Sequence, residues 1–220
     1  MPKVVTFNQT GSPEVLEINE TAIDLPASHE VRIRVKAIGI NRAEVMYRSG
    51  QYVIEPQFPA RLGYEAAGVI DAIGDEVTEF AVGDKVSVIP AFMFTEYGMY
   101  AELVNAPVHS VVKHPDNLSW EQAAASWMMF ITAYGALIEY GNLQKGQYVA
   151  LGAASGSVGI AAMQIANMVG ANPVALTRTS TKNNLLKHAV ASHVVATTEQ
   201  NLTDELNRIT PRTGITLVFD

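Results

Sequence analysis

The chain has 220 residues, 48% hydrophobic and 17% charged, and its 15 Lys and Arg against 22 Asp and Glu leave a net charge of −7. That composition excludes a disordered tail, a fibrous repeat and a basic nucleic-acid binder, and allows one large globular domain or two ordinary ones. The absence of cysteine removes disulfides, thiolate-ligated zinc, iron–sulfur clusters and a thiol nucleophile together, so any redox chemistry must use a bound cofactor.

The first half reads as short strands: Lys3 to Phe7, Val15 to Ile18, Val31 to Ile38, Gly68 to Ile73, Lys85 to Ile89 and Tyr100 to Val104. Each is an apolar or alternating run bounded by Gly, Pro, Asn or Asp, and together they predict a β-barrel or sandwich. Val31-Arg32-Ile33-Arg34-Val35-Lys36 is the clearest, with apolar and basic residues on opposite faces. The N-terminus, Met1-Pro2-Lys3-Val4-Val5, lacks the regions of a signal peptide, and no apolar stretch reaches the roughly 20 residues that span a bilayer. A cytoplasmic protein without membrane or nucleic-acid partners is expected.

Near Ser119 the texture changes. Ser119 with Gln122 three residues on predicts a capping box for a helix over Trp120 to Tyr140, stopped by Gly141. Strands at Gln147 to Ala153, Pro173 to Thr177, His193 to Ala196 and Ile215 to Phe219 then alternate with helices at Val158 to Val169, Lys182 to Ala189 and Leu202 to Thr210. That alternation predicts a parallel, helix-covered sheet. The expected domains are residues 1–118 and 119–220. The last strand needs further parallel neighbours, so the sheet is expected to continue past Asp220.

Gly152-Ala153-Ala154-Ser155-Gly156-Ser157-Val158-Gly159 lies between a predicted strand and helix. Gly156 allows backbone to approach a pyrophosphate, Gly159 allows close helix–strand packing, and the helix start offers free N–H groups and a partial positive charge. Ala153, Ser155, Gly156, Ser157, Val158 and Gly159 are therefore candidate cofactor-binding residues. An NAD site would carry a carboxylate about 20 residues on. Arg178 stands there instead, followed by Thr179, Ser180, Thr181 and Lys182. A guanidinium and an ammonium suit a 2′-phosphate, and the expected cofactor is NADPH.

Several motifs then align: Gly63-Tyr64-Glu65 with Gly68-Val69; Gly74, Val77, Phe80, Gly83-Asp84 and Val86; Gly98 with Tyr100-Ala101-Glu102; and Ala153, Gly156 and Gly159 with Gln164. In sum the chain resembles the medium-chain dehydrogenase/reductase superfamily, and within it the zinc-independent NADPH:quinone oxidoreductase, or zeta-crystallin-like, branch. The resemblance implies an α/β plus β fold: a GroES-like β-barrel followed by a Rossmann doubly wound parallel sheet, here truncated at the C-terminus, with the active site in the cleft between them. It also implies a homodimer at full length.

Zinc alcohol dehydrogenases of that superfamily carry Cys where this chain has Asn41 and His where it has Tyr64. An amide and a phenol do not replace thiolate and imidazole at tetrahedral zinc, and the five histidines show no ligand spacing, so no metal is expected. Carried over from the family, Asn41 matches an asparagine near the nicotinamide ribose and substrate, Tyr52 a substrate-facing tyrosine, Tyr64 the former zinc-histidine position, and Thr132 a nicotinamide contact. Met46 stands where some relatives have tyrosine. The implied reaction is hydride transfer from NADPH to a quinone or α,β-unsaturated carbonyl acceptor. The competing reading is an NADPH-binding, crystallin-like or sensor protein with little turnover. Phe92, Met93, Phe94 and Tyr97 either wall an acceptor pocket or fold onto the core; the sequence leaves both open.

Overall fold

In the computed structural model, which describes residues 1–210 and 213–220, the chain divides between Met128 and Met129. The first unit holds β1 (Lys3–Phe7), β2 (Leu16–Glu20), β3 (Glu30–Ile38), α1 (Arg42–Arg48), β4 (Ala60–Arg61), β5 (Ala66–Ile73), β6 (Lys85–Val88), β7 (Leu103–Pro107) and β8 (Val111–Lys113). The strands form a three-stranded sheet in the order β2-β1-β4 and a five-stranded antiparallel sheet in the order β7-β3-β5-β6-β8. The alternation in β3 does what period-two patterning requires. Val31 and Ile33 are fully buried in the core with Phe7, Ile70, Val86 and Met99, while Arg32 and Arg34 on the other face pair with Asp71 at 2.8 and 3.1 Å.

Two sequence expectations shift here. The strand expected over Tyr100 to Val104 begins only at Leu103, because the preceding residues pair with β1 instead: Val5 N–H donates to Tyr100 O, Ala101 bridges Val4, and Glu102 N–H donates to Lys3 O. The single helix expected over Trp120 to Tyr140 is three pieces, α2 (Trp120–Ala125), α3 (Trp127–Tyr134) and a π-helical segment at Gly135–Tyr140. At the first break the Ser126 hydroxyl bonds back to Gln122 O, a contact that bends helices. The Ser119 capping box forms as read, with Gln122 N–H to Ser119 Oγ at 3.2 Å and Ser119 N–H to Gln122 Oε1 at 2.9 Å. Buried Ala123 and Ala124 of α2 pack on Ala67 of β5. That packing carries the helix into the first unit and sets the division beyond the texture change at Ser119.

The second unit contains β9 (Tyr148–Leu151), α4 (Ser157–Met168), β10 (Asn172–Thr177), α5 (Asn183–His188), β11 (His193–Ala196), α6 (Leu202–Ile209) and β12 (Leu217–Phe219). All strands are parallel, in the order β11-β10-β9-β12. Val149-Ala150-Leu151 and Pro173-Val174-Ala175 are buried continuously, as strands covered on both faces must be. Strand order steps one way from β9 to β11 and then reverses to β12, so a topological switch point lies at the carboxyl ends of β9 and β12. Gly152, whose N–H donates to Phe219 O at 2.8 Å, sits at that point. Among the described residues no helix is long and apolar enough to cross a membrane.

Candidate functional site

The glycine turn closes between β9 and α4. Ala153 adopts a left-handed φ of +41°, a conformation that strains any residue with a Cβ, and Gly156 caps α4 in an extended conformation. Gly159 has no room for a side chain: a Cβ there would stand 2.6 Å from Ala154 Cα. The small, buried face of α4, with Ala161, Ala162 and Ala166, keeps the helix close to the sheet in the same way. Gly156 differs. A Cβ on it would meet only Ala153 O, at 3.2 Å, and the residue is exposed on a cleft.

That cleft, about 970 Å³, is lined on one side by residues 152–156 and on the other by Thr177, Arg178, Thr179, Thr181 and Lys182, with Thr197, Thr198 and Asp220. Arg178 and Lys182 are both exposed. Lys182 Nζ donates to Ser155 Oγ at 2.9 Å. Thr198 holds the Arg178 carbonyl through its N–H at 3.0 Å and its hydroxyl at 2.5 Å, and Glu199 accepts from Ser180 N–H at 3.0 Å, so the loop carrying the cations is fixed from the next strand. Ser157 and Val158 form the first turn of α4, Ser157 exposed and Val158 packed on the core. The N–H groups of that first turn have no partner within the helix and add to the donor set. Backbone N–H groups, hydroxyls and two cations suit an anionic dinucleotide; the one misplaced charge is Asp220, whose carboxylate lies against Gly152. Thr132 is exposed on α3 and does not line this cleft.

In the first unit Asn41 caps α1. Its backbone N–H donates to Glu44 Oε2 at 2.5 Å in a capping box, and its side-chain Nδ2 donates to Glu65 Oε1 at 2.9 Å. Tyr52 is half-buried, with its hydroxyl 3.5 Å from that of Tyr64. Tyr64 is 5% exposed and lies in the core, its ring centroid 3.7 Å from that of Phe94. Burial first, then the neighbouring Tyr52, Glu44 and Tyr47, push its phenol above the ordinary range, which keeps it a proton-bearing donor. Asn41, Tyr52 and Tyr64 thus belong to one connected polar group. The aromatic loop resolves toward packing: Phe92 and Phe94 are buried, Phe94 stacked on Tyr47 and edge-on to Tyr52, Phe92 tilted against Tyr64 and edge-on to Tyr97, while Met93 is left exposed.

The sequence reading singled out neither carboxylate beneath this group. Glu44 and Glu65 are 3% and 1% exposed. Burial raises Glu44 from its ordinary 4.5 to about 7, against the opposing pull of the Asn41 and Tyr64 N–H groups, the latter at 3.2 Å. Burial also raises Glu65, against hydrogen bonds from Met128 N–H, the Asn41 amide and Trp127 N–H. Glu44 had a sequence signal, the Asn-x-x-Glu spacing of a capping box, and Glu65 lay inside the Gly63-Tyr64-Glu65 motif.

Comparison with known proteins follows the same lines. A family model described as the alcohol dehydrogenase GroES-like domain matches residues 27–116. Quinone oxidoreductase of Homo sapiens is 34% identical over 219 residues, covering 99% of this chain and 65% of that protein. The structure of Escherichia coli quinone oxidoreductase complexed with NADPH superposes with a TM-score of 0.89 at 30% identity, over 99% of this chain and 65% of that one. A structure named NAD-dependent alcohol dehydrogenase gives 0.92 at 31% identity, over 98% and 69%. The chain therefore spans about 65% of the length of the first two.

Proposed function

The chain belongs to the medium-chain dehydrogenase/reductase superfamily, and from that membership we propose that it serves an NADPH-dependent reduction of a quinone or an α,β-unsaturated carbonyl compound, without zinc. The carrying observation is the cation pair at the end of β10. Arg178 is exposed on the cleft that the glycine turn lines, and Lys182 is within hydrogen-bond reach of that turn. Bound NADPH would supply the hydride. Arg178 and Lys182 would hold its 2′-phosphate and the first turn of α4 its pyrophosphate, and Thr132, outside the lining of this cleft, would be the family's nicotinamide contact.

Asn41 and Tyr52 orient the acceptor and donate hydrogen bonds to its oxygen, and Tyr64 acts from the core through the neighbouring Tyr52 hydroxyl, so their work is positioning rather than proton storage. Asn41 is committed to Glu65, and Tyr64 lies in the aromatic core, which supports a reaction without zinc. The test is to mix the full-length protein with NADPH, add a panel of quinones and enones, and follow absorbance of the reduced nicotinamide. Acceptor-dependent oxidation supports the proposal. Tight NADPH binding with no oxidation supports a store or sensor of NADPH instead.

A further inference from the structure

We infer that Glu65 is a positioning residue that fixes the Asn41 amide so that its nitrogen serves as a donor to the bound reactants. The inference rests on the reading above that Asn41 faces those reactants. Its structural basis lies wholly within the first unit.

Glu65 is 1% exposed and both of its oxygens are in use, Oε1 accepting from Asn41 Nδ2 and Oε2 from Met128 N–H, each at 2.9 Å. Its seat is built by backbone. Gly39 N–H donates to Glu65 O at 3.1 Å, and a Cβ on Gly39 would stand 2.3 Å from Glu65 Oε1. An ionised carboxylate only accepts, so it dictates which end of the Asn41 amide turns toward it. The amide oxygen cannot face it, and the nitrogen must. Glu44 holds the other end of the same residue, the backbone N–H of Asn41, so the residue is fixed at both main chain and side chain. Of the two Nδ2 hydrogens one is given to Glu65; the amide is also within reach of the Glu44 carboxylate, so a ligand oxygen competes with Glu44 for the second.

The isosteric change Glu65→Gln tests this directly, because a carboxamide has one acceptor where the structure uses two. With the single Gln oxygen taking the place of Oε2 on Met128 N–H, the Gln nitrogen meets the Asn41 nitrogen, donor against donor, and Asn41 has to turn over or swing away. In the full-length protein kcat and KM for a quinone are measured in wild type, Asn41→Ala, Glu65→Gln and the double variant. Glu65→Gln is expected to lower kcat by the order of tenfold to a hundredfold, as Asn41→Ala does, and the double variant to fall no further. Multiplying losses, or wild-type kcat in Glu65→Gln, overturns the inference.

The exchanged pair Asn41→Asp with Glu65→Gln separates positioning from folding. There the Gln nitrogen donates to the new carboxylate while its oxygen stays on Met128 N–H, so the melting temperature should return toward wild type. The Asp has no donor, so kcat should stay low; recovery of kcat with Tm overturns the inference. A second readout needs no turnover. The Asn41 side-chain NH2 pair, assigned by its loss in Asn41→Asp, should show one proton shifted downfield in wild type, a shift that collapses in Glu65→Gln. If wild type oxidises no NADPH with any acceptor, the functional reading fails, and this spectrum still decides whether Glu65 orients Asn41. An unshifted pair sinks the inference alone.

Discussion

Lys182 Nζ reaches Ser155 Oγ at 2.9 Å and ties the loop after β10 to the glycine turn. The two motifs that the sequence offers separately, a phosphate-cradling turn and a cationic loop, are thereby one site. Arg178 has a different standing beside it: its carbonyl is anchored by Thr198, and its guanidinium is exposed on the cleft.

Arg178→Ala should therefore cost NADPH about 1.5–3 kcal/mol, or about one to two decades of affinity, with little effect on NADH. Lys182→Met should cost less, because part of that cation's hydrogen bonding is already met within the protein. Titration of both nucleotides against each variant checks this, and an unchanged preference for NADPH in Arg178→Ala would refute the role.

The two glycines should separate by readout. Gly159→Ala forces a Cβ to 2.6 Å from Ala154 Cα, so α4 must move off the sheet at roughly 1–3 kcal/mol, read as a lowered Tm. Gly156→Ala meets one atom at 3.2 Å and should leave Tm nearly unchanged while weakening NADPH binding, since the added methyl lies beside the cleft. Equal Tm losses in both would contradict this account.

Glu44 should leave a signature in the pH dependence of stability. Its pKa rises from 4.5 to about 7 on folding, so between those values the folded chain holds more protons than the unfolded one. The stabilisation is complete below pH 4.5 and is lost as pH climbs through 7, a decline of roughly 3 kcal/mol by linkage. Glu44→Gln cannot titrate, and its stability should lack that slope although its absolute value drops. Urea melts of both proteins from pH 4.5 to 8 measure the difference; parallel curves would refute it.

Tyr52→Phe and Asn41→Ala should each lower kcat/KM by the order of tenfold to a hundredfold without moving an ionisation, since both residues act by orientation. Apart from the Glu44 step, which Glu44→Gln removes, the profile should be flat across neutral pH. A sharp ionisation in wild type that vanishes in Tyr52→Phe would make the tyrosine a proton donor and end the positioning account.

Most of the fold and the cleft at the glycine turn were legible because they rest on local rules. Val31 to Lys36 alternates, the β9 and β10 runs are short and apolar, and the glycine turn opens a helix, each readable within a dozen residues. The polar group around Asn41 was legible only in part. The bonds that define it join Asn41 to Glu65 and Glu65 to Met128, partners 24 and 63 positions apart, and no periodicity encodes such pairings. Burial of a carboxylate is likewise set by what closes over it. The Tyr100 strand shifted for the same reason, since the first sheet claims its hydrogen bonds. The break at Ser126 came from a side-chain contact within an otherwise helical pattern.

The division at Met128 has an optical consequence. Both tryptophans of the chain, Trp120 and Trp127, fall in the first unit, and residues 129–220 carry tyrosine as their only strong ultraviolet fluorophore. Trp120 emission therefore follows the antiparallel unit, while Trp127 opens the helix that crosses the division, so Trp127→Phe leaves a reporter of the first unit, and far-ultraviolet circular dichroism is dominated by the helices of both. Recorded on that variant, the two signals reveal whether the halves melt at one temperature or at two, without any label being introduced.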